Sequence, residues 1–359
     1  MIYNIQNSTE DYNIPTLIDD TIQILRFYPS EEVNYFASGG WDSKLRLFEL
    51  KYDKINTSDI KMSSSLINIC QHTSPILSLS WQGSSGILYT GCADGSINYV
   101  DLNKNIFSKI DSHDYGCREV IFFEKYRILG TGGWDGILKF YDPRSHTLIS
   151  SFKFYNKINT MSNKKNLLVL GLSENVISYF NLDKFQKTSF EPELIYSSHI
   201  KSQIKKICVL NDAKGYVEGS IEGRVAIKYL DLNSKYNFSV ENNGIKNEKD
   251  FTFKCHRVTK DRITNIYSVN DISVDPIYGC ICTVGGDGRY SIWDLDKKNR
   301  VYEKKNYKDK TPLTACDYNK KGNLLIYASG YDWSKGAKYA HLYPRPEIHV
   351  HYLPPNHRK

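Results

Sequence analysis

The sequence predicts an all-β chain folded as a ring of seven repeated four-stranded sheets, and three observations predict it. A phrase recurs: Gly39-Gly40-Trp41-Asp42 leads into Lys44-Leu45-Arg46-Leu47-Phe48, Gly132-Gly133-Trp134-Asp135 into Leu138-Lys139-Phe140-Tyr141-Asp142, and Gly285-Gly286-Asp287-Gly288 into Tyr290-Ser291-Ile292-Trp293-Asp294. Each copy reads as a strand, a tight turn on glycine and aspartate, and an alternating strand that ends in an aromatic. The copies lie tens of residues apart, the period of a supersecondary unit that buries its apolar faces only against neighbouring copies.

Taken in order, the first unit joins the buried-looking strand Ile22-Gln23-Ile24-Leu25-Arg26-Phe27 to the turn at Asp42. The second has Ile76-Leu77-Ser78-Leu79-Ser80-Trp81 upstream, and Gly91-Cys92-Ala93-Asp94-Gly95 before Ile97-Asn98-Tyr99-Val100-Asp101. The third places Glu119-Val120-Ile121-Phe122-Phe123 before the turn at Asp135, and the fourth is a degenerate copy, Leu172-Ser173-Glu174-Asn175 before Val176-Ile177-Ser178-Tyr179-Phe180. The fifth reads Gly219-Ser220-Ile221-Glu222-Gly223 before Arg224-Val225-Ala226-Ile227, the sixth turns at Asp287, and the seventh runs through Leu324-Leu325-Ile326-Tyr327-Ala328 to Asp332. From Asp42 through Asp94, Asp135, Asn175, Glu222 and Asp287 to Asp332, successive turns are 52, 41, 40, 47, 65 and 45 residues apart. A four-stranded blade of the WD type takes about 40–45 residues. The reading is a seven-bladed WD-repeat β-propeller, one domain over 1–359, with extra residues in the first interval and a longer insertion around 231–265 between blades five and six. Ile348-His349-Val350-His351-Tyr352-Leu353 supplies the third strand of blade seven. The N-terminal Ile2-Tyr3-Asn4-Ile5 then pairs beside it as the fourth, closing the ring and removing two open sheet edges.

His72 and His113 precede buried strands, where an imidazole can bond the turn aspartate and tie a blade internally. No catalytic fingerprint for nucleotide hydrolysis, acyl transfer or zinc proteolysis occurs. Cys255 and His256 are neighbours on an extended segment and point to opposite faces, the wrong geometry for a thiolate–imidazole pair. Catalytic residues, cofactors and metals are therefore not expected. Of the eight cysteines, Cys280 and Cys282 share a sheet face, but no second ligand pair is near in sequence, so reduced buried thiols are expected. Net charge is +7 and pI about 8.7. That balance suits nucleic acid or acidic protein partners, although Lys, Asn and Ile are abundant throughout, loops included. No stretch has the length or apolarity of a membrane span and the polar N-terminus lacks a leader pattern, so no membrane partner is expected.

The last three blades carry a more specific signature: Gly219-Ser220-Ile221-Glu222-Gly223-Arg224-Val225-Ala226-Ile227, Phe253-Lys254-Cys255-His256-Arg257, Thr283-Val284-Gly285-Gly286-Asp287-Gly288-Arg289 and Tyr331-Asp332-Trp333-Ser334-Lys335-Gly336. This combination resembles the RNA-export-factor family of WD-repeat nucleoporins (Rae/Gle type), sister to the Bub-type mitotic-checkpoint propellers. The resemblance implies a non-enzymatic scaffold of the nuclear pore and nuclear envelope, present also in the cytoplasm, that assists mRNA export. It implies a monomeric propeller in a hetero-complex, gripping a partly acidic GLEBS-type segment of an FG nucleoporin. Glu222 and Arg224 are the expected partner-peptide residues, the alternative being a local pair that stabilises the blade. A second patch for peptide or single-stranded RNA is implied at Phe253, Lys254, Trp293, Asp294, Lys298 and Arg300, although Trp293 also fits a core position. The alternative function is a spindle-checkpoint adaptor that binds similar segments of checkpoint-kinase and kinetochore-scaffold proteins. The Tyr-Asp-Trp-Ser-Lys-Gly element favours the export branch.

Overall fold

The computed structural model describes residues 4–7, 11–54, 59–185, 190–230, 247–305 and 311–358. Seven antiparallel sheets follow one another, each running outward from an innermost strand. Those innermost strands are Ile22–Phe27, Ile76–Trp81, Cys117–Phe123, Ile158–Lys164, Ile204–Val209, Val269–Val274 and Leu313–Tyr318. Each packs against the next, and the seventh packs back on the first, so the seven sheets are the blades of a closed propeller.

Closure uses a different N-terminal segment from the expected one. The outer strand of blade seven is Tyr12–Asn13, paired with Val350 and His349. Asn4–Asn7 pairs instead with Asp59–Met62 as a fifth strand on blade one. Packing explains the choice: Tyr12 is 2% exposed and shares a core with Ile14, Ile18, Leu324 and Val350. The extra residues of the first interval lengthen a hairpin: the strands Lys44–Lys54 and Asp59–Gln71 have 11 and 13 residues. Their far end joins the blade-seven core through Leu50, Ile60 and Met62.

An innermost strand has a free edge facing the channel, and its buried N–H groups need acceptors. Side chains of the neighbouring blade supply them. Ser78 and Ser80 accept from the amides of Val120 and Phe122, and Thr160 and Ser162 from Ile207 and Val209. Asp271 accepts from Cys316 at 3.0 Å, and Asp317 from Phe27 at 2.8 Å across the closing junction. The polar residues of these apolar strands thus weld the ring.

The Gly-Gly phrase has a packing cause. A β-carbon at Gly39, Gly132 or Gly219 would collide with the next blade's innermost side chains, Ile76, Met161 and Ile272 respectively. One at Gly133 or Gly285 would strike the ring of His113 or His256. His113 bonds Asp135 at 3.0 Å and Thr131 at 2.9 Å, the expected tie. His256 does the same for blade six, with Asp287 at 2.8 Å and Thr283 at 3.1 Å, and Trp293 Nε1 donates to Thr283 at 3.0 Å. His72 departs from the expectation. Its ring reaches Thr90 at 2.9 Å, and Asp94 is capped instead by Thr73, Ser96 and the amide of Ser96.

Candidate partner-binding rim of blades five and six

Antiparallel strands place every aspartate-bearing turn on the same face of the ring as the loops that enter the innermost strands, here called the upper rim. In blade five the turn is Ile221-Glu222-Gly223, with Gly223 at φ 58°. It opens the strand Arg224–Tyr229, whose outer neighbour is Phe251–Lys254. Arg224 and Lys254 are register partners across these two strands, so two cations stand side by side at the rim. Both are exposed, as is Glu222.

Blade five frees these groups by building its internal tie elsewhere. Ser198 takes the histidine's place and donates to Glu218 at 2.8 Å, one strand position from Gly219. Burial pushes the Glu218 carboxyl up to about 7, against the lowering effect of Ser198 and Lys228. Glu222, the turn acid, is therefore not needed for the tie. Among the described residues neither Glu222, Arg224 nor Lys254 has a side-chain hydrogen bond or ion pair, and Glu222 and Arg224 do not bond each other. The rim thus presents exposed donors and an exposed acceptor, and among the described residues no Glu222–Arg224 pair holds the blade here.

The chain between blades five and six adds charge. Residues 231–246 of the stretch around 231–265 lie outside the described residues; Phe251–Lys254 is the blade-five outer strand, and Arg257–Lys260 and Ile263–Ile266 form a separate hairpin on the upper rim. Arg257 donates to the Glu222 carbonyl at 3.0 Å, so the hairpin base abuts the turn. Over the turn 221–224 and the stretch 254–263 the sequence sets Arg224, Lys254, Arg257, Lys260 and Arg262 against two acids, Glu222 and Asp261.

The second expected patch is a strip down the flank between the two blades. Phe253 lies on the strand face opposite Lys254 and packs on Trp293, ring centroids 4.4 Å apart. Arg300 is register partner of Trp293, with its guanidinium 5.8 Å from that ring. The Lys298 ammonium lies 4.8 Å over Phe251, not Phe253. Both cations sit on the lower-rim turn of blade six, and Arg300 also pairs with Glu303. Asp294 is buried and caps its own turn, accepting from the amides of Asp296 and Lys297 at 3.0 Å each. The structure thus groups Glu222, Arg224 and Lys254 above, Phe253 and Trp293 midway, and Lys298 and Arg300 below.

Nucleophilic chemistry finds no support in the cysteines. All eight are free, and burial pushes the Cys255 thiol up to about 12 and those of Cys92 and Cys280 to about 11. Among the described residues no group of His, Cys, Asp or Glu is arranged to hold a metal, and no helix is long and apolar enough to cross a membrane. Sequence reasoning missed the hairpin cations and the exposed indoles of Trp41 and Trp333. Both indoles stand inside motifs already singled out, Trp41 in the repeated turn phrase and Trp333 in the element that carries the family resemblance.

The family model described as WD domain, G-beta repeat matches residues 63–101. The chain is 30% identical over 356 residues to mRNA export factor rae-1 of Caenorhabditis elegans, covering 95% of this chain and 88% of the relative. It is 32% identical over 327 residues to mRNA export factor GLE2 of Chaetomium thermophilum, covering 89% and 83%. Mitotic checkpoint protein bub3 of Dictyostelium discoideum matches at 29% over 335 residues, 92% and 91%. With a closed seven-bladed ring and full-length similarity at this level, the chain belongs to the Rae/Gle family of WD-repeat mRNA export factors.

Proposed function

We propose that the chain is a non-enzymatic adaptor of mRNA export that grips a partly acidic, GLEBS-type segment of an FG nucleoporin on the upper rim of blades five and six. The observation that supports this reading is the register pairing of Arg224 with Lys254 beside a turn acid released from its structural tie. The Arg224 guanidinium offers a planar fork for a partner carboxylate, Lys254 a second positive charge, and Glu222 an acceptor for a partner cation. The segment orders as it binds. The rim is held rigid by the blade ties, so the ordering cost falls on the segment alone. The relatives named as mRNA export factors support the pathway; a place at the nuclear pore and envelope and in the cytoplasm, as one propeller in a hetero-complex, is part of the proposal. The flank strip of Phe253, Trp293, Lys298 and Arg300 suits single-stranded RNA as a second ligand.

Affinity capture from cells, comparing the wild type with Arg224→Glu, tests the main reading. An FG nucleoporin is expected to dominate the wild-type catch and to disappear with the variant. Kinetochore proteins in its place would establish the checkpoint alternative, and an unchanged catch with the variant would remove this rim as the site.

A further inference from the structure

The upper mouth of the central channel opens into a cavity of about 500 Å³, lined by residues of blades one, five, six and seven. Its walls include Trp41 from blade one, Trp333 and Asp332 from blade seven, Asp20, Lys205 and Thr314. Two indoles stand exposed there, 40% for Trp41 and 44% for Trp333. Trp333 holds φ at 60°, the left-handed region that a bulky side chain enters at a cost, and such strain concentrates at ligand clamps. Its backbone is held there by the Gly336 amide, which donates to the Trp333 carbonyl at 3.0 Å, and its ring is backed by Tyr331 at 5.4 Å. Trp41 is steadied by its Nε1 donating to Gln23 at 3.4 Å.

The polar groups of the cavity are chiefly acceptors. Asp20 uses one carboxylate oxygen on the Thr21 amide at 2.7 Å, and its other oxygen has no partner among the described residues. Asp332 caps Ser334 with one oxygen and receives only a long 3.4 Å bond from Asn270 on the other. Thr314 is 8% exposed, and its hydroxyl has no hydrogen-bond partner among the described residues. The single cation, Lys205, is already spent: its ammonium donates to Asn270 at 2.6 Å, and burial lowers its pKa, opposed by the charge of Asp332. The walls thus present two aromatic faces and a net negative charge, whereas the rim of blades five and six is positive.

We infer that this cavity is a receptor for one basic side chain of a partner, arginine above lysine, which enters between Trp41 and Trp333 and donates to Asp20, Asp332 and Thr314. The indole faces attract a cation, a planar guanidinium stacks on them, and its several N–H groups match the several acceptors. The inference extends the reading that a partner segment crosses this rim, while the cage uses none of the residues on which that reading rests. The consequence is polarity. A segment with its acidic stretch on Arg224 and Lys254 and a basic residue in the channel mouth lies across the ring in one direction only.

The probe is the capped tripeptide acetyl-Gly-Arg-Gly-amide, titrated against the full chain and followed by tryptophan fluorescence and indole proton NMR. Its uncharged citrulline analogue and acetyl-Gly-Glu-Gly-amide are compared with it. Saturable binding with a dissociation constant of about a millimolar is expected for the arginine peptide, with the citrulline peptide about tenfold weaker. Trp41→Leu and Asp20→Asn are each expected to weaken the arginine peptide several-fold while keeping the wild-type thermal midpoint. Equal binding of the citrulline peptide, preference for the glutamate peptide, indifference to both substitutions, or no saturable response overturns the cage. Because the probe carries no carboxylate side chain for Arg224, its binding and nucleoporin capture fail independently.

Discussion

His256 follows directly on the strand that carries Lys254, yet its imidazole is spent inside blade six. It links Asp287 and Thr283, and Thr283 in turn receives the Trp293 indole N–H. Replacing it with alanine leaves the buried Asp287 carboxylate with the Arg289 amide as its hydrogen-bond donor, and Thr283 with the Trp293 bond alone. His256→Ala is therefore expected to cost about 2–4 kcal/mol of stability, read as a lower urea midpoint at unchanged slope. His72→Ala removes a bond to a neutral hydroxyl and is expected to cost nearer 1 kcal/mol. Equal losses would show that the carboxylate is not what makes the tie matter. Position before a buried strand marked His113 as the tie to Asp135, but it marked His72 equally, whose ring bonds Thr90 and not Asp94. It did not reveal the His256 tie, since Cys255 drew the eye to a catalytic pair. It hid the blade-five tie altogether, because Ser198 and Glu218 occupy the roles of histidine and threonine while the adjacent His199 is exposed.

The strand Phe251–Lys254 presents two different surfaces on its two faces, a direct result of the period-two alternation of β-structure. Lys254 faces the rim beside Arg224, while Phe251 and Phe253 turn toward blade six, where Trp293 covers Phe253. Periodicity made this separation legible; the height of each cation on the ring was not. Lys298 and Arg300 fall after the outward turn of the blade-six strand Arg289–Asp294, so they belong to the lower rim although they are close in sequence to Trp293. If RNA follows this flank, its phosphates meet cations at both ends and its bases meet the Phe253–Trp293 pair in between. Binding of a single-stranded oligonucleotide, measured by fluorescence anisotropy, is then expected to weaken steeply with salt. Lys254→Ala should flatten that salt slope by about one counterion, and Phe253→Ala should cost about 1–3 kcal/mol with the slope kept. A salt-independent affinity, or loss of slope in Phe253→Ala alone, would contradict the assignment.

At the scale of the ring, closure and blade ties bury ionisable groups whose titration must appear in stability. Burial lowers the pKa of His72, His113, His146, His349 and His357 below the ordinary value of 6.5, partly offset by neighbouring carboxylates at all but His357. A group depressed on folding binds more protons in the unfolded chain, so its contribution is complete above about pH 6.5 and is lost as pH falls from there through the folded value. Two carboxyls act in the opposite sense. Burial raises Glu218 to about 7 and raises Asp317 as well, so each stabilises the fold most when protonated and loses that contribution as pH climbs. Five imidazoles outnumber two carboxyls, although His146 and His357 are less deeply enclosed than His72 and His113 and count for less. The thermal midpoint is therefore expected to fall on acidification from about pH 7 to about pH 5. Glu218→Gln sharpens the test, since the amide keeps the Ser198 bond but cannot titrate. With the opposing contribution gone, the variant should lose stability more steeply than the wild type over the same interval. A wild-type midpoint that rises on acidification, together with a flatter profile for Glu218→Gln, would mean that the buried carboxyls outweigh the histidines in the pH response of the ring.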